Sequence, residues 1–250
     1  LEGAGATIYE EHAEILDKHT LLVGERTISS ERILVATGGW PFIPDIEGKE
    51  HAITSNEAFD LAKFPERVVV VGGGYIAIEF AGIFNGLGAK THLVYRGPLF
   101  LRGFDDDTRE FLAQEVCKKG VDLRFEADVK RIEKHASGLK VVLQSDEIIE
   151  CDLIMYATGR KPLTENIGLD KCGVKLNEKG AILVDSNYQT NIDSIYAIGD
   201  VTDRINLTPV ALAEGMALTA HLYQDIEKSV SYEYIPSAVF SNPNLATVGY

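Results

Sequence analysis

Four consecutive valines, Val68 to Val71, run directly into Gly72-Gly73-Gly74-Tyr75-Ile76-Ala77. That junction constrains the fold more than any other part of the chain. An unbroken apolar run of β-branched residues reads as a strand buried on both faces, as in a parallel sheet. Gly72, Gly74 and Ala77 then fall in the G-x-G-x-x-A spacing that opens a dinucleotide-binding helix. Gly72 allows the tight turn, Gly74 lets the backbone approach a pyrophosphate, and Ala77 keeps the helix close to its strand. Free N–H groups at the helix start would face the phosphates. The helix is expected over about 75–87, ending at Gly86 and Gly88, with Ala77, Phe80, Ala81 and Phe84 at helical spacing. A second strand is expected over 90–95.

The end of that second strand selects the nucleotide. NAD sites place Asp or Glu there to accept from the ribose 2′-OH, whereas an arginine nearby accommodates the 2′-phosphate of NADP. Here the carboxylate position is Tyr95, and Arg96 and Arg102 follow. Charge-assisted hydrogen bonds contribute roughly 1.5–3 kcal/mol each, so two arginines favour NADPH by several kcal/mol. The alternative is a pair of solvated surface arginines.

Bulk properties exclude several function classes. The 250 residues are 45% hydrophobic, enough for one sizeable core and parts of two domains. A net charge of −14 argues against nucleic acid or an anionic membrane as partner. No long apolar stretch and no signal-like start point to membrane spanning or secretion, so a cytoplasmic protein is expected. Cys117, Cys151 and Cys172 are scattered and form no C-x-x-C or C-x4-C pair, which suits buried or incidental thiols. The histidines show no metal-ligand spacing, and no metal is expected. Both ends read as cut: Leu1 already enters a β-rich stretch, and 246–250 reads as mid-strand.

Along the chain, strands are expected over 7–15, 20–23 and 32–38, followed by a proline- and glycine-flanked linker over 39–48. After the βαβ unit, a helix at about 106–119 starts among Asp105, Asp106 and Asp107, which suit its positive end, and stops at Gly120. Further strands are expected over 121–125, 129–133, 139–144, 152–159, 181–184 and 195–200. A helix follows at about 209–223, with Thr208 as N-cap and Pro209 as first helical residue, and 235–250 turns β-like again. The phrase Ala-Thr-Gly closes two strands, at residues 36–38 and 157–159.

Gly72 to Glu79, the two Ala-Thr-Gly turns, Arg160-Lys161-Pro162, the stretch 190–200 and Leu207-Thr208-Pro209-Val210-Ala211 together resemble the flavoprotein pyridine nucleotide–disulfide oxidoreductases. The resemblance covers nearly the whole chain. Within that family the arginine pair after Tyr95 is similar to the glutathione- and trypanothione-reductase branch, most closely the glutathione type; dihydrolipoamide dehydrogenases carry glutamate at Tyr95. The resemblance implies an α/β chain with Rossmann-like FAD- and NAD(P)-binding domains. Residues 1–40 would end a first FAD segment, 41–160 would bind NADPH, 161–232 would form a second FAD segment, and 233–250 would begin an α+β dimer-interface domain.

The residue roles implied are these. NADPH would be held by Gly72, Gly73, Gly74, Tyr75, Ile76, Ala77, Glu79, Arg96, Arg102, Thr158, Gly159 and Arg160. FAD would be held by Ala36, Thr37, Gly38, Gly199, Asp200, Leu207, Thr208, Pro209 and Ala211. Asp200 resembles the aspartate that accepts from the flavin's ribityl chain, and the helix start at Thr208 would point at the flavin's pyrimidine side. Tyr75 resembles a tyrosine that covers the nicotinamide pocket and swings aside. Glu79 resembles a glutamate paired with a lysine beside the flavin, and Arg160 an arginine near the cofactor junction. The redox-active C-x4-C pair and the acid/base histidine are not in these residues; both are expected beyond the two ends, the histidine coming from the partner subunit of a homodimer. The implied activity is reduction of glutathione disulfide. Rivals are a trypanothione, glutathione-amide, mercuric or lipoamide-type enzyme, or a redox-inactive FAD/NADPH-binding protein.

Overall fold

The computed structural model describes residues 1–224, 226 and 228–249. Tyr250, the last residue of the expected closing strand, lies outside the described residues, as do Asp225 and Glu227 inside the expected 161–232 segment. The chain forms two compact units, residues 1–40 with 161–232, and residues 41–160 with 233–250.

In chain order the first unit opens with β1 (Ala13–Asp17), β2 (Thr20–Val23) and β3 (Arg26–Ser29), an antiparallel meander. β4 (Ile33–Val35) and β5 (Gly39–Pro41) follow. The second unit holds β6 (Arg67–Val71), α1 (Tyr75–Gly86), β7 (Lys90–Val94), α2 (Asp106–Lys118) and β8 (Asp122–Arg124). It continues with β9 (Val129–His135), β10 (Gly138–Leu143), β11 (Ile148–Cys151) and β12 (Leu153–Tyr156). β13 (Arg160–Pro162) pairs with β5. The first unit resumes with β14 (Ile195–Ala197) and α3 (Thr208–Gln224), and the second closes with β15 (Ser237–Val239) paired antiparallel with β16 (Leu245–Thr247).

The valine run explains the second unit. Its four-stranded sheet is wholly parallel, in the order β12-β6-β7-β8. Side chains alternate across a strand, so Val68 and Val70 share a core with Ala77, Phe80, Ala81, Phe84, Leu112 and Val116 of α1 and α2. Val69 and Val71 point the other way, into a core with Val129, Ile132, Val141, Leu143 and Ile149 of the antiparallel sheet β9-β10-β11. Both faces are therefore dry, which is why no polar residue interrupts the run. Small Ala77 and Ala81, both fully buried, let α1 lie close to the sheet. α2 starts as expected, with the Asp105 carboxylate accepting from the Thr108 N–H at 3.1 Å.

In the first unit, Ile33, Val35, Ile195 and Ala197 make the centre of a separate core. β4 and β14 are parallel neighbours, Ile33 opposite Ile195 and Val35 opposite Ala197, although most of the chain lies between them.

Three expectations about elements are corrected here, and two strands were not expected. Residues 7–12 are exposed coil and only Ala13–Asp17 is strand, because the single buried side chain there is Ile15. Residues 181–184 form no named strand; a tight turn reverses the chain at Glu178–Lys179, leaving one Leu176–Ile182 bridge. β3 and β11 went unforeseen because each is only four residues long, β3 without a buried side chain. The segment 39–48 is not a free linker: Ile43 and Ile46 pack on the β9–β11 core, and the Glu47 carbonyl accepts from the Ile132 N–H.

Arg67 and Asp152 lock the starts of β6 and β12 together. Asp152 accepts from the Arg67 guanidinium at 2.7 Å and from its backbone N–H at 2.8 Å. The hydrogen bond from Arg67 holds the Asp152 carboxyl below its ordinary range, with burial opposing it. A carboxylate whose folded-state pKa is depressed stabilises the fold above its unfolded value, about 3.9, and loses that contribution as pH falls through the folded value. Asp152→Asn is therefore expected to be less stable than the parent at pH 7, and the two should converge below about pH 4 in denaturant titrations run across pH.

Candidate functional site

The parallel sheet of the second unit ends in a cluster of close backbone contacts. The Gly72 N–H donates to the Val94 carbonyl at 2.9 Å, tying the turn after β6 to the end of β7. Gly72 has φ +147, and a Cβ there would lie 2.3 Å from the Ala157 carbonyl oxygen and 3.1 Å from the Ala77 Cβ. The fingerprint alanine and the second Ala-Thr-Gly turn thus close on the same point. Gly74 differs. It is the N-cap of α1 in ordinary extended conformation, no side chain caps the helix, and a Cβ there would meet nothing within 4 Å. The unfilled space lies at the helix end whose dipole and free N–H groups favour an anion.

The loop carrying the two arginines is held against this turn. The Leu101 N–H donates to the Gly73 carbonyl at 2.7 Å, and the Tyr95 ring packs flat enough on the loop that a Cβ on Gly73 or Gly97 would strike it. Phe100, fully buried, stacks edge-on against Phe125 with centroids 5.6 Å apart. Arg109 on α2 donates from Nε to the Phe100 carbonyl and from a terminal nitrogen to the Leu99 carbonyl, both at 2.7 Å, and pairs with Asp106. Arg109 thereby fastens a short loop that presents Arg96 and Arg102 to solvent. Both are exposed, and among the described residues neither guanidinium makes a hydrogen bond or ion pair. In a chain with 24 basic and 38 acidic residues, two unneutralised arginines on one loop stand out.

The remaining residues expected around this turn are placed as follows. Tyr75, first residue of α1, is exposed, and Ile76 is half-buried. Glu79 is half-buried, and its carboxylate accepts from the Phe240 N–H at 2.8 Å; among the described residues no lysine forms an ion pair with it. Thr158 donates from its hydroxyl to the Phe42 carbonyl, and the Gly159 carbonyl accepts from the Phe42 N–H. Arg160 is half-buried at the start of β13.

A second cluster belongs to the first unit. β4 and β14 run parallel, so Ala36-Thr37-Gly38 and Gly199-Asp200 leave the same edge. The Thr37 hydroxyl donates to the Leu163 carbonyl at 2.7 Å, and the Leu163 N–H returns to Gly38. The Asp200 carboxylate has no hydrogen-bond partner among the described residues, and Asp200 is half-buried. Ala211 on α3 sits against Gly199, 3.3 Å from where a Cβ would be. The start of α3 departs from expectation by one residue. The Leu207 carbonyl accepts from Ala211, so Leu207 is the N-cap, Thr208 the first helical residue and Pro209 the second. Pro209 is tolerated there because N–H groups in the first turn lack intrahelical partners.

The cysteines are thiols apart from one another. Burial, reinforced by the Asp152 charge, pushes the Cys151 thiol up to about 12, so it is protonated and inert near neutral pH. Among the described residues no group of His, Cys, Asp or Glu is arranged to hold a metal ion, and no helix is long and apolar enough to cross a membrane.

Sequence reasoning passed over two residues that shape these clusters. Arg109 gave no signal, because its partners are backbone carbonyls on another element. Glu214 did: a carboxylate amid the apolar face of Ala213, Ala217 and Leu218 must find donors. It is 1% exposed, and one oxygen accepts from the Gly199 N–H at 2.7 Å.

The sequence model of the family described as pyridine nucleotide-disulphide oxidoreductase matches residues 1–215. Glutathione reductase of Burkholderia cepacia is 43% identical over 249 residues, covering all of this chain and 56% of that protein. Trypanothione reductase of Trypanosoma congolense is 43% identical over 226 residues, covering 89% of this chain and 46% of that protein. The structure of the HOCl-induced flavoprotein disulfide reductase RclA from Escherichia coli superimposes with a TM-score of 0.92 at 30% identity, over 96% of this chain and 56% of that one. The chain spans about half the length of the relatives it matches.

Gly72 and Gly74 separate structural from ligand roles. Gly72→Ala forces a Cβ into a backbone carbonyl at a strained φ and is expected to cost about 2 kcal/mol or more in denaturant unfolding. Gly74→Ala should stay within about 0.5 kcal/mol of the parent yet weaken pyridine-nucleotide binding, read by calorimetric titration.

Proposed function

The chain belongs to the pyridine nucleotide-disulphide oxidoreductase family, whose members bind FAD and a pyridine nucleotide, and from that membership we propose an NADPH-dependent reductase of glutathione disulfide. The observation that carries the reading is the pair Arg96 and Arg102, unpaired among the described residues, on a loop bonded to the Gly73 carbonyl. Tyr95 stands where an NAD site needs a carboxylate. Residues 41–160 then bind the coenzyme, the FAD segments are 1–40 and 161–232, and 233–250 begins a dimer-interface domain.

The roles follow from the chemistry of each group. The open N-terminus of α1 neutralises part of the pyrophosphate charge, with Gly74 leaving the approach clear. Arg96 and Arg102 donate to the 2′-phosphate, and Arg109 holds the loop so that little ordering entropy is lost on binding. Tyr75 lies at the mouth of this site as its cover. Asp200, whose carboxylate has no hydrogen-bond partner among the described residues, fits the hydroxyls of a flavin's ribityl chain, and the positive end of α3 fits its pyrimidine edge. Bound FAD would supply the two-electron step between nicotinamide and a disulfide. The dithiol that receives those electrons and the proton-transferring histidine are assigned to residues outside these 250, the histidine to the second subunit of a homodimer. A cytoplasmic setting belongs to the same reading.

Two measurements on the full-length protein test it. Arg96→Ala combined with Arg102→Ala should lower the NADPH/NADH ratio of kcat/KM by about 100-fold or more; an unchanged ratio removes the coenzyme assignment. The unaltered protein should be yellow and should oxidise NADPH on addition of glutathione disulfide. Faster turnover with trypanothione disulfide would move it to the sister activity, and indifference to both would refute the substrate class.

A further inference from the structure

Glu214 is the most deeply buried carboxylate in the described chain, and the proposed chemistry makes no use of it. It projects from α3 with 1% exposure. One oxygen accepts from the Gly199 N–H at 2.7 Å, and the other accepts from the Tyr232 hydroxyl at 2.7 Å. Tyr232 is held in turn. The Arg204 guanidinium donates to its oxygen at 2.9 Å, and that guanidinium lies over two rings, Tyr188 at 5.3 Å and Tyr232 at 5.4 Å from their centroids. Arg204 also donates to the Val184 and Asp185 carbonyls. Burial, with the Tyr188 and Glu214 hydrogen bonds, raises the Tyr232 phenol far above its ordinary range, so it stays protonated and remains a donor.

Every polar atom of Glu214 is thus used, and the far end of the chain of bonds is the backbone of Gly199, adjacent to Asp200. A buried charge is tolerated only when paired or fully hydrogen-bonded, and breaking one member is costly. An apolar residue at 214 would pack as well in α3 but would leave the Gly199 N–H without an acceptor. The turn Gly199-Asp200 would then be free to shift, and with it the Asp200 carboxylate. We propose that Glu214, braced by Tyr232 and Arg204, is a positioning residue that fixes the Gly199–Asp200 turn for binding the ribityl chain of FAD. This rests on the assignment of Asp200 to FAD made above.

The test uses the full-length protein stripped of flavin, with FAD dissociation constants measured by quenching of flavin fluorescence. Glu214→Met keeps the volume and removes both acceptors, and should bind FAD about tenfold or more weakly. Glu214→Gln keeps an acceptor for the Gly199 N–H and should bind within a few-fold of the parent. That rescue distinguishes positioning from a role in charge or in packing alone. Equal affinity of Glu214→Met and the parent overturns the proposal, as does a Glu214→Gln protein as weak as Glu214→Met. If Glu214→Met does not fold, Tyr232→Phe decides: a weaker FAD constant supports the proposal and an unchanged one overturns it. A parent protein that takes up no FAD would instead sink the assignment of Asp200 itself.

Discussion

A single point of close approach organises the second unit: the backbone at Gly72. Three strands and one helix converge there, since its N–H bonds to Val94 of β7, Ala157 after β12 lies where a Cβ would be, and Ala77 of α1 borders the same space. Nothing larger than hydrogen is accommodated at that backbone angle. The turn can then deliver α1 with its N-terminus open, the property on which anion binding at this edge depends. The strand before it, dry on both faces, is the anchor that makes such a turn rigid.

Selectivity in this frame is a local electrostatic matter set against a contrary global field. The chain is strongly acidic, yet the loop after β7 holds two arginines that make no ion pair among the described residues. Arg109 shows how the exception is maintained. Its own guanidinium is committed to Asp106 and to the Phe100 and Leu99 carbonyls, so it shapes the loop from within and leaves Arg96 and Arg102 exposed. A loop fixed in advance loses less entropy when a phosphate arrives than a mobile one would.

How far the sequence could be read depended on the range of the interaction concerned. The β6–α1–β7 unit was legible almost to the residue because its signals are local: an apolar run, a glycine spacing, small residues at helical intervals. The same holds for α2, whose cap lies next to its first turn. The extent of β1, the bridge at 176–182 and the wall formed by Ile43 and Ile46 were not legible, because each is decided by what covers those side chains. The start of α3 shifted by one residue for a related reason: which carbonyl accepts the first helical bond is a geometric fact, and Thr208 and Pro209 satisfy cap preferences in either register.

The amino-acid sequence alone determined the buried parallel strand, the glycine turn and the placing of two arginines at the end of the next strand. Those features follow from side-chain size, backbone freedom and charge within a few residues. Only the tertiary structure decided that β4 and β14 lie side by side, that Arg109 clasps the arginine loop, and that Glu214 reaches the Gly199 N–H. Each joins a side chain or strand to backbone groups on another element. Backbone N–H and C=O groups are the same at every residue, so no pattern of side chains in one dimension says which of them will meet.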